Sequence, residues 1–281
     1  MGDDRLTDFN PAMYLRYYNL REHPFSATPN PKFLYLTSQH ATALNHLLFA
    51  ILHGSGFAML TGEVGTGKTT ICRKLINQLV ERFYTALILN PNLTTTQLLR
   101  AIAIEFGIPD PPRDKLGVLQ AINSFLLQAN AAGKTCVLII DEAQVMSIEL
   151  LETVRLLSNL ETNSQKLLQI ILVGQPELRK KLFTPTLRQL AQRITVRYHL
   201  KAMNRQETAE YLKHRLKIAG ADGTILFDED AIDEIFGNSG GTPRLVNAIA
   251  DRVLLAGYIN GTRHIDRSIV RLAIHDLKEA A

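Results

Sequence analysis

The sequence predicts an α/β fold: a parallel β-sheet covered on both faces by helices, followed by a small all-helical domain. Three observations carry that prediction. Short apolar runs alternate with helix-periodic segments over residues 41–203. A glycine-rich phosphate-binding loop, Gly62-Glu63-Val64-Gly65-Thr66-Gly67-Lys68-Thr69, joins one of these runs to a helical segment. A second run, Val137-Leu138-Ile139-Ile140, ends in two acids, Asp141 and Glu142.

The elements follow in order. Residues 1–40 contain Tyr14, Tyr17, Tyr18, Phe25, Phe33 and Tyr35 among several prolines. Disordered tails are poor in aromatics, so this reads as an ordered, irregular arm. Residues 41–53 put Leu44, Leu47, Leu48 and Ile51 on one helical face. Phe57-Ala58-Met59-Leu60 is a buried strand, and residues 68–82 after the loop are helical. A strand at 86–90 and a helix at 95–106 come next, with Thr94 or Thr95 as N-cap. The prolines of 109–112 interrupt the chain before a helix at 115–130, which Gly133 ends. Strands are predicted at 136–140, 167–173 and 195–200, and a helix at 148–161. After Met203 only helical patterns remain, at 205–218, 228–237, 243–257 and 266–279, punctuated by glycines. The expected division is an arm over 1–40, an α/β nucleotide-binding domain over 41–203 and a helical domain over 204–281.

Composition narrows the class. An apolar fraction of 46% with 21% charged residues is that of a globular chain with a sizeable core. The net charge of +4 is spread along the chain, so it permits contact with nucleic acid or anionic lipid without arguing for either. Cys72 and Cys136 have neither zinc nor redox-pair spacing and read as buried thiols of a reducing cytoplasm. The acidic start Met1-Gly2-Asp3-Asp4-Arg5 has no apolar segment behind it, so no secretory signal is expected. No apolar run approaches the length of a membrane span; work at a membrane would need recruitment.

The chemistry lies in the loop and the acid pair. Glycines let the loop backbone turn tightly and aim its N–H groups at phosphate oxygens. Lys68 adds charge near the β- and γ-phosphates, and Thr69 offers Mg²⁺ a hydroxyl. Residues Gly62 to Thr69, with Thr70 behind them, are therefore the expected binding site for ATP. Asp141 and Glu142 stand at the carboxyl end of a strand, the edge where open α/β sheets bind ligands. Asp141 is placed to hold Mg²⁺ and Glu142 to deprotonate the attacking water. Asn90 reads two ways: as a polar side chain holding Glu142 off line, or as a turn residue in Asn90-Pro91-Asn92. Gln175 follows an apolar strand, where its amide would position water or sense phosphate; otherwise it is a loop residue before Pro176. Arg193 precedes the last strand and would reach a neighbouring subunit's γ-phosphate. Arg188 is its rival, and either also suits a helix end. Arg244 follows Pro243 in a helical first turn, where the dipole does not favour a cation. A phosphate would explain it, as would a salt bridge to Asp251 or Asp141.

Together these residues resemble the AAA+ ATPases. The resemblance assigns a Walker A motif to 62–69, a Walker B motif to 137–142, a sensor-1 position to Gln175, an arginine finger to Arg193 and a sensor-2 arginine to Arg244 on a helical lid. Gln175 departs from the Asn or Thr more usual at sensor 1. The runs Tyr17-Tyr18-Asn19-Leu20, Pro24-Phe25-Ser26, Pro31-Lys32-Phe33-Leu34-Tyr35 and Gly174-Gln175-Pro176-Glu177-Leu178 are similar to those of the ExeA-like secretion ATPases (general secretion pathway component A). So are Leu156-Leu157-Ser158-Asn159-Leu160-Glu161 and Lys166-Leu167-Leu168-Gln169-Ile170. Relatives of this size include the ATPase of mannose-sensitive haemagglutinin pilus biogenesis. The resemblance implies Mg²⁺-dependent ATP hydrolysis in a homo-oligomer, ring or filament, whose active site is shared between subunits. It implies partners among inner-membrane pilus or secretion assembly proteins, and a cytoplasmic location peripheral to that membrane. ExeA itself continues into a membrane span and a peptidoglycan-binding region; neither is expected in a chain that stops at Ala281. The rival is a transposition-regulator type of AAA+ protein that forms filaments on DNA. A short C-terminal domain and the absence of a basic stripe disfavour it.

Overall fold

Apolar runs that need cover on both faces assemble side by side, and helices supply the cover. In the computed structural model, which describes residues 13–26, 28, 30–79, 82–161 and 166–279, the chain forms two compact units. One spans Ser38–Lys201; the other joins the arm, to Thr37, with Ala202 onward. The described arm opens on a short helix, α1 (Met13–Tyr17).

The α/β unit holds α2 (Ser38–Leu52), β1 (Phe57–Gly62), α3 (Lys68–Leu79), β2 (Phe83–Ile88), α4 (Thr95–Glu105), α5 (Lys115–Ala131) and β3 (Thr135–Ile140). It continues through α6 (Ile148–Leu157), β4 (Leu168–Gly174), α7 (Pro176–Leu182), α8 (Arg188–Arg193) and β5 (Ile194–Leu200). The five strands are all parallel, in the order β2-β3-β4-β1-β5. Period-two alternation sorts the side chains. Ala58 and Leu60 of β1 join Val137 and Ile139 of β3 in a core with α2 and α3. Phe57 and Met59 join Cys136, Leu138 and Ile140 in a larger core with α4 to α8. Because β4 lies between β3 and β1, the segments after all three strands meet at one sheet edge.

Three local expectations shift. The second strand runs over Phe83–Ile88 rather than 86–90. It is an edge strand, so exposed and covered residues mix along it, and Leu89 already lies outside the sheet. The predicted helix 148–161 stops at Leu157. The segment after β4 is helical from Pro176, with proline in the first turn. Of the two N-cap candidates before α4, Thr94 closes a full capping box with Gln97. The predicted extension of α3 through residues 80 and 81 lies outside the described residues.

The helical unit contains α9 (Arg205–Ile218), α10 (Glu229–Ser239), α11 (Pro243–Ile259) and α12 (Arg267–Glu279). Two strands of two residues each, β6 (Leu226–Phe227) and β7 (His264–Ile265), pair in parallel where no strand was predicted; they are too short to show a period. The arm's aromatics complete this core. Tyr18 is fully buried, and its hydroxyl donates to Leu254 O at 3.0 Å and Thr262 O at 3.2 Å. A Cβ on Gly257 would come within 2.4 Å of that hydroxyl, so α11 needs glycine there. The Arg215 guanidinium donates to Pro24 O and lies over the Phe33 ring.

Candidate nucleotide site

The loop between β1 and α3 turns through two left-handed glycines, Gly65 at φ 80° and Gly67 at φ 100°. A Cβ on Gly62 would meet Leu200 O at 2.7 Å and Thr66 Oγ1 at 2.9 Å, so packing against β5 requires glycine there. Thr66 Oγ1 donates to Glu63 O at 2.8 Å and closes the turn. Lys68 is buried, and its ammonium donates to Gly62 O at 2.8 Å and Glu63 O at 2.9 Å. Burial pulls its pKa below the ordinary lysine value, against the pull of Glu142, Asp141 and Glu63. A cation held under the loop by two neutral carbonyls has charge to spare for an anion. Glu63 and Val64 are exposed on the loop, and Thr70 follows in the first turn of α3.

β3 delivers the acid pair to the same place. Thr69 Oγ1 donates to Asp141 Oδ2 at 2.5 Å across 72 residues of chain. Asp141 is only 2% exposed, and its other oxygen accepts from Glu142 N at 2.8 Å. A hydroxyl and a carboxylate side by side are the hard oxygen donors that Mg²⁺ prefers, so these residues fit that ion. Glu142 has left-handed backbone, φ 52° and ψ 32°. Such a conformation is strained for a residue with a Cβ.

The amide next to Glu142 comes from a residue the sequence did not single out. Gln144 Nε2 donates to Glu142 Oε2 at 2.5 Å, and Gln144 Oε1 accepts from Gln175 N at 3.1 Å. A Cβ on Gly174 would come within 2.6 Å of Gln144 Oε1, so a glycine at the end of β4 makes room for the amide. Lys181 Nζ from α7 donates to Gln144 O and to Met146 O, which pins the short turn after the acids. The only sequence signal was an amide two positions beyond Glu142, and no strand or helix period marks it.

The other expected residues fall as follows. Gln175 stands at the N-cap position of α7 without a side-chain cap, and its Nε2 lies 3.5 Å from Glu142 Oε2, at the outer limit of a hydrogen bond. Asn90 does not bond Glu142. Its Oδ1 accepts from Asn92 N at 3.2 Å, so the turn reading holds: a local partner two residues on outcompetes a distant one. Arg193 Nη1 donates to Arg155 O at 3.3 Å, Ser158 Oγ at 2.7 Å and Asn159 Oδ1 at 2.6 Å, all at the C-terminal end of α6. Arg188, at the start of α8, is exposed and makes no hydrogen bond or ion pair among the described residues. Arg244 is exposed in the first turn of α11. It does not pair with Asp251, whose carboxylate accepts from Tyr14 OH at 2.8 Å.

Known proteins resemble the chain at this level. Residues 51–182 match the family model of the AAA domain. The chain is 46% identical over 266 residues to general secretion pathway protein A of Aeromonas hydrophila. The match covers 94% of this chain and 48% of that protein, so the chain spans about half the length of the curated relative. Among solved structures, the ORC2 protein of Aeropyrum pernix matches with a TM-score of 0.66 at 18% identity, over 92% of this chain and 72% of that one. Cdc6p of Pyrobaculum aerophilum matches at 0.63 and 20% identity, over 89% and 71%. The Holliday junction branch migration motor RuvB of Thermotoga maritima matches at 0.54 and 18%, over 86% and 70%. At such identities the structures speak for the fold, that of the AAA+ P-loop NTPases.

Proposed function

We propose that this chain, a P-loop ATPase carrying an AAA domain, spends ATP to drive assembly of a type IV pilus of the mannose-sensitive haemagglutinin type or of a type II secretion apparatus. The observation that carries the catalytic half is the meeting of Lys68, Thr69, Asp141 and Glu142 at one sheet edge. The likeness to general secretion pathway protein A supports the cellular half.

In this reading the loop N–H groups and Lys68 hold the ATP phosphates. Thr69 and Asp141 hold Mg²⁺, which when bound neutralises charge on the phosphates. Glu142 takes the proton of the attacking water, and Gln175 orients it. Arg188 or Arg193 acts on the site of a neighbouring copy in a ring or filament, and Arg244 acts within its own chain. Arg188, which makes no hydrogen bond or ion pair among the described residues, is favoured over Arg193, whose Nη1 is held at the end of α6. No helix among the described residues is long and apolar enough to cross a membrane. The site of action is the cytoplasmic face of the inner membrane, reached through a partner.

The test pairs biochemistry with a phenotype. Wild-type protein should bind and hydrolyse ATP, and Lys68→Ala should bind none. Deletion in the source bacterium should abolish pili or type II secretion, restored by wild type and not by Lys68→Ala. Normal pili and secretion after deletion would remove the assembly role. ATP-dependent DNA binding that falls steeply with salt would redirect it to nucleic acid.

A further inference from the structure

α2 carries a histidine on the face it buries. His40, Leu44, Leu47 and Ile51 recur at helical spacing, and the last three lie in the core beneath β1 and α3. A buried ring nitrogen needs a polar partner. Here the partner belongs to the phosphate loop: His40 Nε2 lies 3.0 Å from Thr66 O. A carbonyl only accepts, so Nε2 carries the proton and donates. The ring also lies against the next residue. A Cβ on Gly67 would come within 2.8 Å of His40 Nε2.

Thr66 O and Gly67 N–H belong to one peptide unit. That unit is planar and trans, so its carbonyl and its N–H point in opposite directions. Holding Thr66 O toward α2 aims Gly67 N–H to the opposite side of the loop. We infer that His40 is a positioning residue for nucleotide binding: it fixes the Thr66–Gly67 peptide so that Gly67 N–H already faces the phosphates before ATP arrives. The inference rests on the loop being the ATP site. Its mount suits the task, because α2 is packed along its length onto the sheet that carries the loop. A loop ordered in advance does not lose that freedom when the ligand binds.

The test compares four variants with wild type. His40→Phe keeps a ring and removes the donor. His40→Gln keeps an N–H with similar reach, and His40→Asn keeps one that falls short of Thr66 O. Lys68→Ala is the control for the site itself. ATP and ADP affinities are measured with fluorescent analogues, KM and kcat by phosphate release, and folding by circular dichroism. A contact made equally in ground and transition states changes KM and leaves kcat. His40→Phe should therefore weaken both nucleotides about tenfold, the scale of one hydrogen bond to a charged group, with kcat nearly unchanged. His40→Gln should recover most of that loss and His40→Asn little of it, which keeps the test sound if His40→Phe fails to fold. Wild-type affinity in folded His40→Phe, or equal loss in Gln and Asn variants, overturns the inference while Lys68→Ala still loses ATP. If Lys68→Ala also binds normally, the ATP-site reading falls instead.

Discussion

Gln144 holds Glu142: its amide donates to the carboxylate at 2.5 Å, while its carbonyl oxygen receives the backbone N–H of Gln175 at 3.1 Å. One side chain thus ties the acid after β3 to the end of β4. The carboxylate oxygen it occupies is one that an attacking water would need. Gln144→Ala should raise ATP turnover about threefold to tenfold at saturating ATP, with KM unchanged, as a hydrogen bond to a charged group is released. Gly174→Ala should act in the same direction, because its Cβ would displace the Gln144 amide. Phosphate release under steady state reads both, and a fall in turnover would make Gln144 an orienting residue instead.

Removing the charge tests the base itself. Glu142→Gln preserves size and backbone and deletes the proton acceptor. ATP binding should persist and turnover should fall by about two to four orders of magnitude, the scale of general-base catalysis. Equilibrium binding measured beside single-turnover hydrolysis checks it. Unchanged turnover would take Glu142 out of the base role.

The two arginines near β5 should separate by stability. Arg193 serves the end of α6 through three hydrogen bonds, so Arg193→Ala should lose about 1–3 kcal/mol in denaturant unfolding, as partners of a charged donor are orphaned. Arg188→Ala should leave stability unchanged within about 0.5 kcal/mol, as expected of an exposed side chain. If Arg188 works on a neighbour's site, Arg188→Ala should lose turnover, and mixing it with Lys68→Ala should restore some. No recovery in the mixture would argue against a shared site.

The two thiols should be silent in the folded protein. Burial raises the Cys136 thiol from 9.0 to about 12, and burial also raises Cys72, beneath the phosphate loop. At pH 8 a thiol reagent should label neither until denaturant is added, and then both. The sign for stability follows from linkage. The unfolded chain ionises Cys136 from about pH 9 and the folded one only near pH 12, so the folded state loses stability as pH rises through that window. Chemical unfolding at pH 8 and pH 10.5 compares the two.

The loop and the acid pair were legible because their chemistry is local. Eight consecutive residues hold the phosphate motif, and a four-residue apolar run before Asp141 announces a buried strand. The parallel sheet was legible for the same reason: each central strand is a continuous apolar run, and helical periods lie between. Edge strands and two-residue strands carry weaker patterns, so β2 shifted and β6 and β7 went unseen.

Residue type and spacing therefore placed by themselves a phosphate-binding loop after β1 and an acid pair after β3. Which side chains meet across the sheet edge was decided by strand order, since β4 beside β3 brings Gln175 to Gln144 and Glu142. Tertiary packing alone put His40 of α2 against Thr66 and Gly67, and turned Arg193 onto α6. These are contacts between residues 26 to 38 positions apart. No helical or strand period encodes such a separation; only the packing of whole elements closes it.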